Sequence, residues 1–174
     1  MIRFIDIKGK NNVIEVAPGA HLYNVSIAIR GNNNKLFISK GKEGFSARIE
    51  LIGDNNSISI GDIEGMFNTA ITATNGRRII IGKECVFSDQ ITISTTDHHP
   101  IFDQKGERLN PDQDVVIGDR VWIGRGVDIL KGSVIGSDVV IGAKSVVTGT
   151  IPPNSVAVGA PARVVKRDII WRIQ

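Results

Sequence analysis

Two adjacent histidines, His98 and His99, are the residues of this sequence best suited to acid–base chemistry. They lie in a polar segment over residues 97–114 that is rich in turn-forming residues. An imidazole takes up and releases a proton near neutral pH, so it can deprotonate a hydroxyl during attack and protonate a leaving group afterwards. Long loops in compact domains are usually functional. The pair therefore marks a candidate catalytic base in an extended loop.

Two carboxylates near the histidines could orient an imidazole. Asp97 and Asp103 flank the pair, although aspartates in loops more often make local turns. The single cysteine, Cys85, is a poor candidate nucleophile because it occupies an inward position of its repeat unit, where cysteine is commonly buried and inert. A lone cysteine also excludes an internal disulfide.

A six-residue repeat organises the C-terminal half. Gly follows the repeating aliphatic residue at positions 118, 124, 136 and 142, and the aliphatic residues themselves are Ile117, Ile123, Ile129, Ile135, Ile141 and Val147. Neither the helical period of about 3.6 nor strand alternation explains a period of six. A short strand followed by a corner does explain it, and three such units make one triangular coil of a solenoid. The pattern therefore predicts a parallel β-helix.

A longer repeat of 22 residues organises the N-terminal half. Its units begin with Gly-x-Asn-Asn at Gly9, Gly31 and Gly53, and a degraded copy begins at Asn75. Gly and Asn tolerate the left-handed backbone region that a sharp corner requires. We expect these units to be coils that carry a few extra residues at one corner.

The composition favours the same fold and excludes several classes of protein. The chain has 28 Ile and 17 Val against 5 Leu, which excludes an all-helical bundle and predicts a core of branched aliphatics. A formal net charge of +3 is too weak to indicate nucleic-acid binding. No apolar run approaches the roughly 20 residues that span a bilayer. We expect a cytoplasmic protein without membrane insertion.

These patterns predict one all-β domain over residues 1–174. Irregular 22-residue coils occupy 1–78, and hexapeptide coils occupy 79–160. The loop at about 97–114 protrudes, leaving and rejoining the coils close to register. Residues 161–174 form a short C-terminal cap, either a short helix or an outer strand.

Four features together resemble the hexapeptide-repeat acyltransferases. They are the six-residue pattern, the His99-Pro100 dipeptide, the segment Val121-Trp122-Ile123-Gly124 and the ending over residues 151–163. The likeness is greatest to the branch of galactoside, maltose and capsular-polysaccharide O-acetyltransferases, and it is specific over about residues 79–167. The resemblance implies a left-handed parallel β-helix, a homotrimer, and transfer of acetyl from acetyl-CoA to a sugar or polysaccharide hydroxyl, with no metal.

The resemblance also implies which residues act. The motif Asp97-x-His99 favours His99 as the base, whereas the spacing of 24 residues to Trp122 found in many relatives favours His98. Trp122 is expected at the active site or in a contact between subunits. Gly149 stands where the family often has a basic residue, and Lys144 could substitute for it. The residues expected to contact the cofactor are Trp122, Gly124, Arg125, Ala143, Thr148, Gly149, Arg163 and Lys166.

Three other readings of the sequence stay open at this point. An amino-sugar N-acetyltransferase needs the same base and is the main alternative. A non-catalytic β-helix scaffold is a second. A γ-type carbonic anhydrase is the least favoured, because it needs three zinc histidines from neighbouring coils, while His98 and His99 are consecutive and His21 is distant in sequence.

Overall fold

The computed structural model describes residues 2–173, so Met1 and Gln174, the two ends of the predicted domain, lie outside the described residues. All regular elements within this range are strands. In chain order they are β1 (Ile2–Lys8), β2 (Val13–Val16), β3 (Val25–Arg30), β4 (Lys35–Ile38), β5 (Phe45–Ile52), β6 (Ser57–Ile60), β7 (Gly65–Thr74), β8 (Arg78–Ile81), β9 (Val86–Phe87), β10 (Ile91–Ser94), β11 (Val115–Ile117), β12 (Trp122–Ile123), β13 (Asp128–Ile129), β14 (Val134–Ile135), β15 (Val140–Ile141), β16 (Val146–Val147), β17 (Thr150–Ile151), β18 (Ser155–Val158) and β19 (Arg163–Arg167).

The strands stack in parallel on three faces of a solenoid. The first face contains the N-terminal parts of β5 and β7, followed by β9, β12, β15 and β18. The second contains β1, β3, the C-terminal parts of β5 and β7, and then β10, β13 and β16. The third contains β2, β4, β6, β8, β11, β14 and β17. The predicted all-β parallel β-helix is confirmed.

The core is formed by columns of aliphatic side chains, one from each coil. Ile27, Ile49, Ile71 and Ile93 pair in register on the second face, each 22 residues after the last. The six aliphatic residues of the hexapeptide repeat are all buried, with at most 1% of each exposed. Each coil therefore covers the apolar side of the coil before it, which is the main source of stability in a solenoid.

The glycine-asparagine corners of the N-terminal coils form a ladder of amide hydrogen bonds. Gly9, Gly31 and Gly53 have positive φ, as the sequence predicted. The side-chain oxygen of buried Asn34 accepts hydrogen bonds from the backbone N–H and the side-chain amide of Asn56, both at 2.9 Å. Asn12 accepts the matching pair from Asn34. The ladder satisfies polar groups that would otherwise be buried without partners.

The long loop interrupts the coils without shifting their register. Ile81 pairs with Ile117, 36 residues later, which is twice the 18 residues that separate Ile117 from its next partner, Ile135. One coil therefore carries an insertion equal in length to a coil. The C-terminal tail forms the outer-strand version of the predicted cap, since β19 pairs antiparallel with β18. In the described range, no helix is long and apolar enough to cross a membrane.

Candidate active site

The loop leaves the solenoid at the corner between the second and third faces, which we call the loop edge. Both histidines lie at its start, and both side chains are exposed. Within residues 2–173, neither imidazole ring forms a hydrogen bond, whereas both backbones are fixed. The N–H of His98 donates to Thr96 Oγ1 at 3.0 Å, and the carbonyl of His99 accepts from the Asn110 side chain at 2.9 Å. The rings are therefore held at the surface and free to bind a substrate.

A buried carboxylate, Asp112, anchors the far end of the loop. It is 4% exposed and accepts hydrogen bonds from Thr74, Asn75, Thr96 and Arg108 at 2.7–3.1 Å. Burial acts to raise the pKa of Asp112, but these hydrogen bonds outweigh it and hold the pKa below its ordinary value. Because Thr96 also binds the His98 backbone, Asp112 connects the end of the loop to its start.

A second polar cluster holds the histidine segment against the next coil. The carboxylate of Asp97 forms an ion pair with Lys131 at 2.5 Å and accepts a hydrogen bond from Asn110 at 2.8 Å. The hydrogen bond from Lys131 is the main cause that lowers the pKa of Asp97, with Asn110 contributing in the same direction. Asp97 therefore does not contact an imidazole.

The other candidate orienting carboxylate, Asp103, makes a local turn. Its Oδ1 accepts hydrogen bonds from the backbone N–H groups of Lys105 and Glu107 at 2.9 and 2.8 Å. Neither aspartate that could fix an imidazole tautomer does so within this chain.

Trp122 lies on the first face, which is opposite the loop edge. Its side chain is 43% exposed, and its ring packs against Trp171 from the C-terminal tail with centroids 6.1 Å apart. The Trp171 indole N–H donates to the carbonyl of Arg120 at 2.8 Å, which fixes the second ring. A single chain therefore keeps Trp122 apart from the histidines.

The residues expected to contact a cofactor fall into two groups. Gly124, Arg125 and Ala143 share the corner between the first and second faces, where Arg125 is 3.5 Å from Asp89. A methyl group on Gly124 would lie 2.6 Å from the Ala143 backbone nitrogen, so the two coils need glycine to stack.

The second group lies on the loop edge, above the histidine loop. Thr148 is exposed, and Gly149 has open space on its side-chain side. The carbonyl of Gly149 accepts a hydrogen bond from Val134, which starts the preceding strand of the third face. Arg163 and Lys166 are exposed on β19, where they pair with Val158 and Val156.

Cys85 is fully buried, as the sequence predicted. Burial is the main cause that raises the pKa of its thiol to about 12, although the thiol lies 3.3 Å from the carbonyl of Gly118. Within residues 2–173, no three His, Cys, Asp or Glu side chains are close enough to hold a metal ion.

Sequence reasoning missed Asn110, Asp112 and Lys131. Lys131 carried a detectable signal, because the glycine that follows most repeat aliphatics is absent after Ile129. The sequence Leu130-Lys131-Gly132 stands there instead, at the coil directly above the end of the loop, where Gly132 donates to the Asp114 carbonyl. A break in a strict repeat thus marked a functional contact.

Comparison with known proteins places the solenoid and its loop in one class, the hexapeptide transferases. Residues 114–149 match the model of the bacterial transferase hexapeptide family (six repeats). The crystal structure of the polySia-specific acetyltransferase NeuO is 32% identical, with a TM-score of 0.73 over 98% of this chain and 89% of that chain. The polysialic acid O-acetyltransferase OatWY gives the same identity and TM-score, over 98% and 92%. The chain belongs to the hexapeptide-repeat acyltransferase family, and its parallel β-helix is of the left-handed kind.

Curated relatives match a smaller region. The galactoside O-acetyltransferase of Escherichia coli (strain K12) is 39% identical over 101 residues, which are 57% of this chain and 49% of that protein. A polysialic acid O-acetyltransferase of Escherichia coli O1:K1 / APEC is 34% identical over 99 residues, 56% of this chain and 32% of that protein. The chain thus spans about a third to a half of the length of these curated relatives.

Proposed function

We propose that this protein transfers acetyl from acetyl-CoA to a hydroxyl of a sugar or polysaccharide, with His99 as the general base. One observation carries the proposal. A loop held by a buried carboxylate presents two unpartnered imidazoles at the edge of a β-helix that is similar, along almost its whole length, to two polysialic acid acetyltransferases.

His99 supplies the proton transfers of the reaction. A sugar hydroxyl is too weakly acidic to attack a thioester unaided at neutral pH. The imidazole accepts the hydroxyl proton as the oxygen bonds to the acetyl carbon, and it returns that proton to the thiolate when the C–S bond breaks. Such catalysis contributes about 10²- to 10⁴-fold. Transfer is direct, because the protonated thiol of Cys85 is buried and no acyl-enzyme is needed.

His98 has a different role in this proposal. Its backbone has φ of 65°, in the left-handed region that few non-glycine residues adopt. Its N–H is bound by Thr96, so it forms the turn that leads into the next residue. The turn presents His99 to the substrate, and the side chain of His98 is not required.

The donor is held by the corners of the C-terminal coils. Gly124 and Ala143 expose backbone along one corner, and Thr148 and Gly149 along the other, so a pantetheine arm can lie close to the chain. The exposed cations Arg125, Arg163 and Lys166, with Lys144 beside Gly126, suit the phosphates of CoA. Because acetyl-CoA is the donor, we place the reaction in the cytoplasm.

The site is shared between copies in a homotrimer. His99 and Trp122 lie on opposite sides of one prism, so a site that uses both needs a neighbouring copy. The loop also exposes three apolar side chains, Ile101, Phe102 and Leu109, each more than half exposed. Such a patch suits contact with another subunit.

The test is turnover of acetyl-CoA with defined acceptors. Purified protein is given acetyl-CoA with oligosialic acid or simple galactosides, and free thiol and acceptor mass are measured. We expect thiol release with an added acetyl group that mild alkali removes, which identifies an ester; an alkali-stable product identifies an amide and the N-acetyltransferase alternative. His99→Ala should lose about 10²- to 10⁴-fold in kcat.

His98→Ala is the matched control, since it changes the neighbouring imidazole in the same loop. We expect it to keep most of the activity. Full activity of His99→Ala would refute the proposed base, and the absence of thiol release with every acceptor would refute the transferase.

A further inference from the structure

A cluster of three side chains joins the histidine loop to the coil above it. We call Asp97, Asn110 and Lys131 the loop clasp. Asp97 comes just before the histidines, Asn110 lies near the end of the loop, and Lys131 projects from the corner between β13 and β14. The clasp therefore connects three segments that are distant in sequence and meet only at the loop edge.

The contacts of Asn110 fix the backbone on both sides of the proposed base. Its side-chain N–H group donates to Asp97 at 2.8 Å and to the carbonyl of His99 at 2.9 Å. Its side-chain oxygen accepts from the backbone N–H of Ile101 at 2.5 Å. One amide thus holds the residues before, at and after the base, which leaves the His99 side chain as the main remaining freedom.

Lys131 supplies the charge that holds Asp97 in place. Its ammonium nitrogen is buried, and its side chain is 15% exposed, whereas Asp97 is 38% exposed. A buried ammonium needs a counter-charge, because an unpaired one is strongly unfavourable. Among the described residues, Asp97 is the carboxylate in ion-pair contact with it. The pairing therefore fixes where Asp97, and with it the histidine segment, can lie.

From these contacts we propose that Lys131, acting through Asp97 and Asn110, is a positioning residue that sets the place of the His99 imidazole over the loop edge. This inference rests on the proposed function. Proton transfer in the transition state requires the imidazole within hydrogen-bond reach of the hydroxyl, so a small displacement lowers the rate of the chemical step more than it lowers binding.

The kinetic test uses Lys131→Met, which keeps much of the side-chain volume and removes the charge. We expect kcat to fall roughly 10- to 100-fold, while KM for acetyl-CoA and for the acceptor stays within about 3-fold. Lys131→Arg, which keeps a cation for Asp97, should recover part of the lost kcat. The double variant with Asp97→Asn should be no worse than the worse single variant, because the two residues act as one unit.

The matched control is Lys42→Met, which breaks a lysine–carboxylate pair that also joins neighbouring coils. Lys42 pairs with Glu64 at 2.6 Å and is remote from the loop. We expect its kcat to be unchanged. A Lys131→Met enzyme with wild-type kcat, or one that changes only in KM, overturns the inference.

A second measurement separates this inference from the proposed function. Hydrogen exchange at the amides of Ile101 and Leu109, which are bonded within the loop, should accelerate in Lys131→Met and not in Lys42→Met. If the wild-type protein transfers no acetyl group, the proposed function fails and the exchange result alone decides whether the clasp positions the loop. Unchanged exchange at these amides, or equal acceleration along the whole chain, overturns the clasp.

Discussion

At the scale of single residues, burial decides which candidate groups can react. Cys85 and the two histidines lie within fifteen residues of one another in sequence, yet only the histidines reach the surface. The thiol lies in the core column, and the imidazoles are carried out of it by the loop. The same chain thus contains one nucleophile that is silenced by packing and one base that is exposed by it.

We predict that Cys85 is unreactive in the folded protein. With a thiol pKa of about 12, only about one molecule in 10⁴ carries the thiolate at pH 8, and the sulfur is also inaccessible. Ellman's reagent should titrate no thiol until denaturant is added. Cys85→Ala should keep its turnover, and rapid labelling of the native protein would contradict the prediction.

We predict an acid-sensitive contribution from Asp112. Its folded pKa lies below the ordinary value of 3.8, so its contribution to stability is complete above that value and is lost as the pH falls through the folded pKa. The free energy of unfolding should therefore differ between wild type and Asp112→Asn by a constant amount from pH 5 to 8, and the difference should shrink below about pH 4. Denaturant titrations across this range measure it.

Glu15→Gln serves as the control for that comparison, because Glu15 is an exposed carboxyl on β2. Its variant should match wild type at every pH. A gap for Asp112→Asn that widens in acid would show that the carboxyl is not ionised in the folded state.

At the scale of elements, the corners carry polar ladders that are as specific as the apolar columns. We predict that Asn34→Ala lowers the free energy of unfolding by about 1–3 kcal/mol, because it leaves the Asn56 N–H and side-chain amide without their partner. Chemical denaturation measures the change. Lys35→Ala, an exposed neighbour on β4, should change stability little, and an equal loss in both variants would argue against the ladder.

The C-terminal tail shields one side of Trp122. Since Trp122 and Trp171 are the two tryptophans of the chain, intrinsic fluorescence reports this contact directly. We predict that Trp171→Ala moves the emission of Trp122 to longer wavelength and increases its quenching by acrylamide. Ile170→Ala, an exposed tail residue, should do neither. Unchanged quenching in Trp171→Ala would mean that the tail does not cover Trp122 in solution.

At the scale of the whole molecule, the prism separates His99 from Trp122. If both serve one site, mixing the inactive variants His99→Ala and Trp122→Ala should restore activity after subunits exchange. Random assembly gives each site one intact residue from each neighbour in about a quarter of cases, so activity should approach about a quarter of wild type. Mixtures that stay inactive after confirmed exchange would contradict a shared site.

Much of the architecture follows from sequence because solenoid packing is local. Ile117, Ile129 and Val147 recur at fixed intervals, since each must stack on the coil before it, and this periodicity is visible without any structure. The loop is different. The contact of Asp97 with Lys131 depends on the path of the inserted residues, and no periodicity encodes that path. For the same reason the carboxylates beside the histidines were candidate partners in sequence and are not partners in space.

The first coil has a neighbour on one side only. Ile5 and Ile7 pair with Ile27 and Ile29, yet they are 48% and 46% exposed while their partners are fully buried. Melting should therefore start at this terminus and spread inward, so amide protection against deuterium should rise from β1 toward the hexapeptide rungs. The histidine loop lies several rungs inside this gradient, where partial unfolding of the leading coil leaves the chemistry undisturbed.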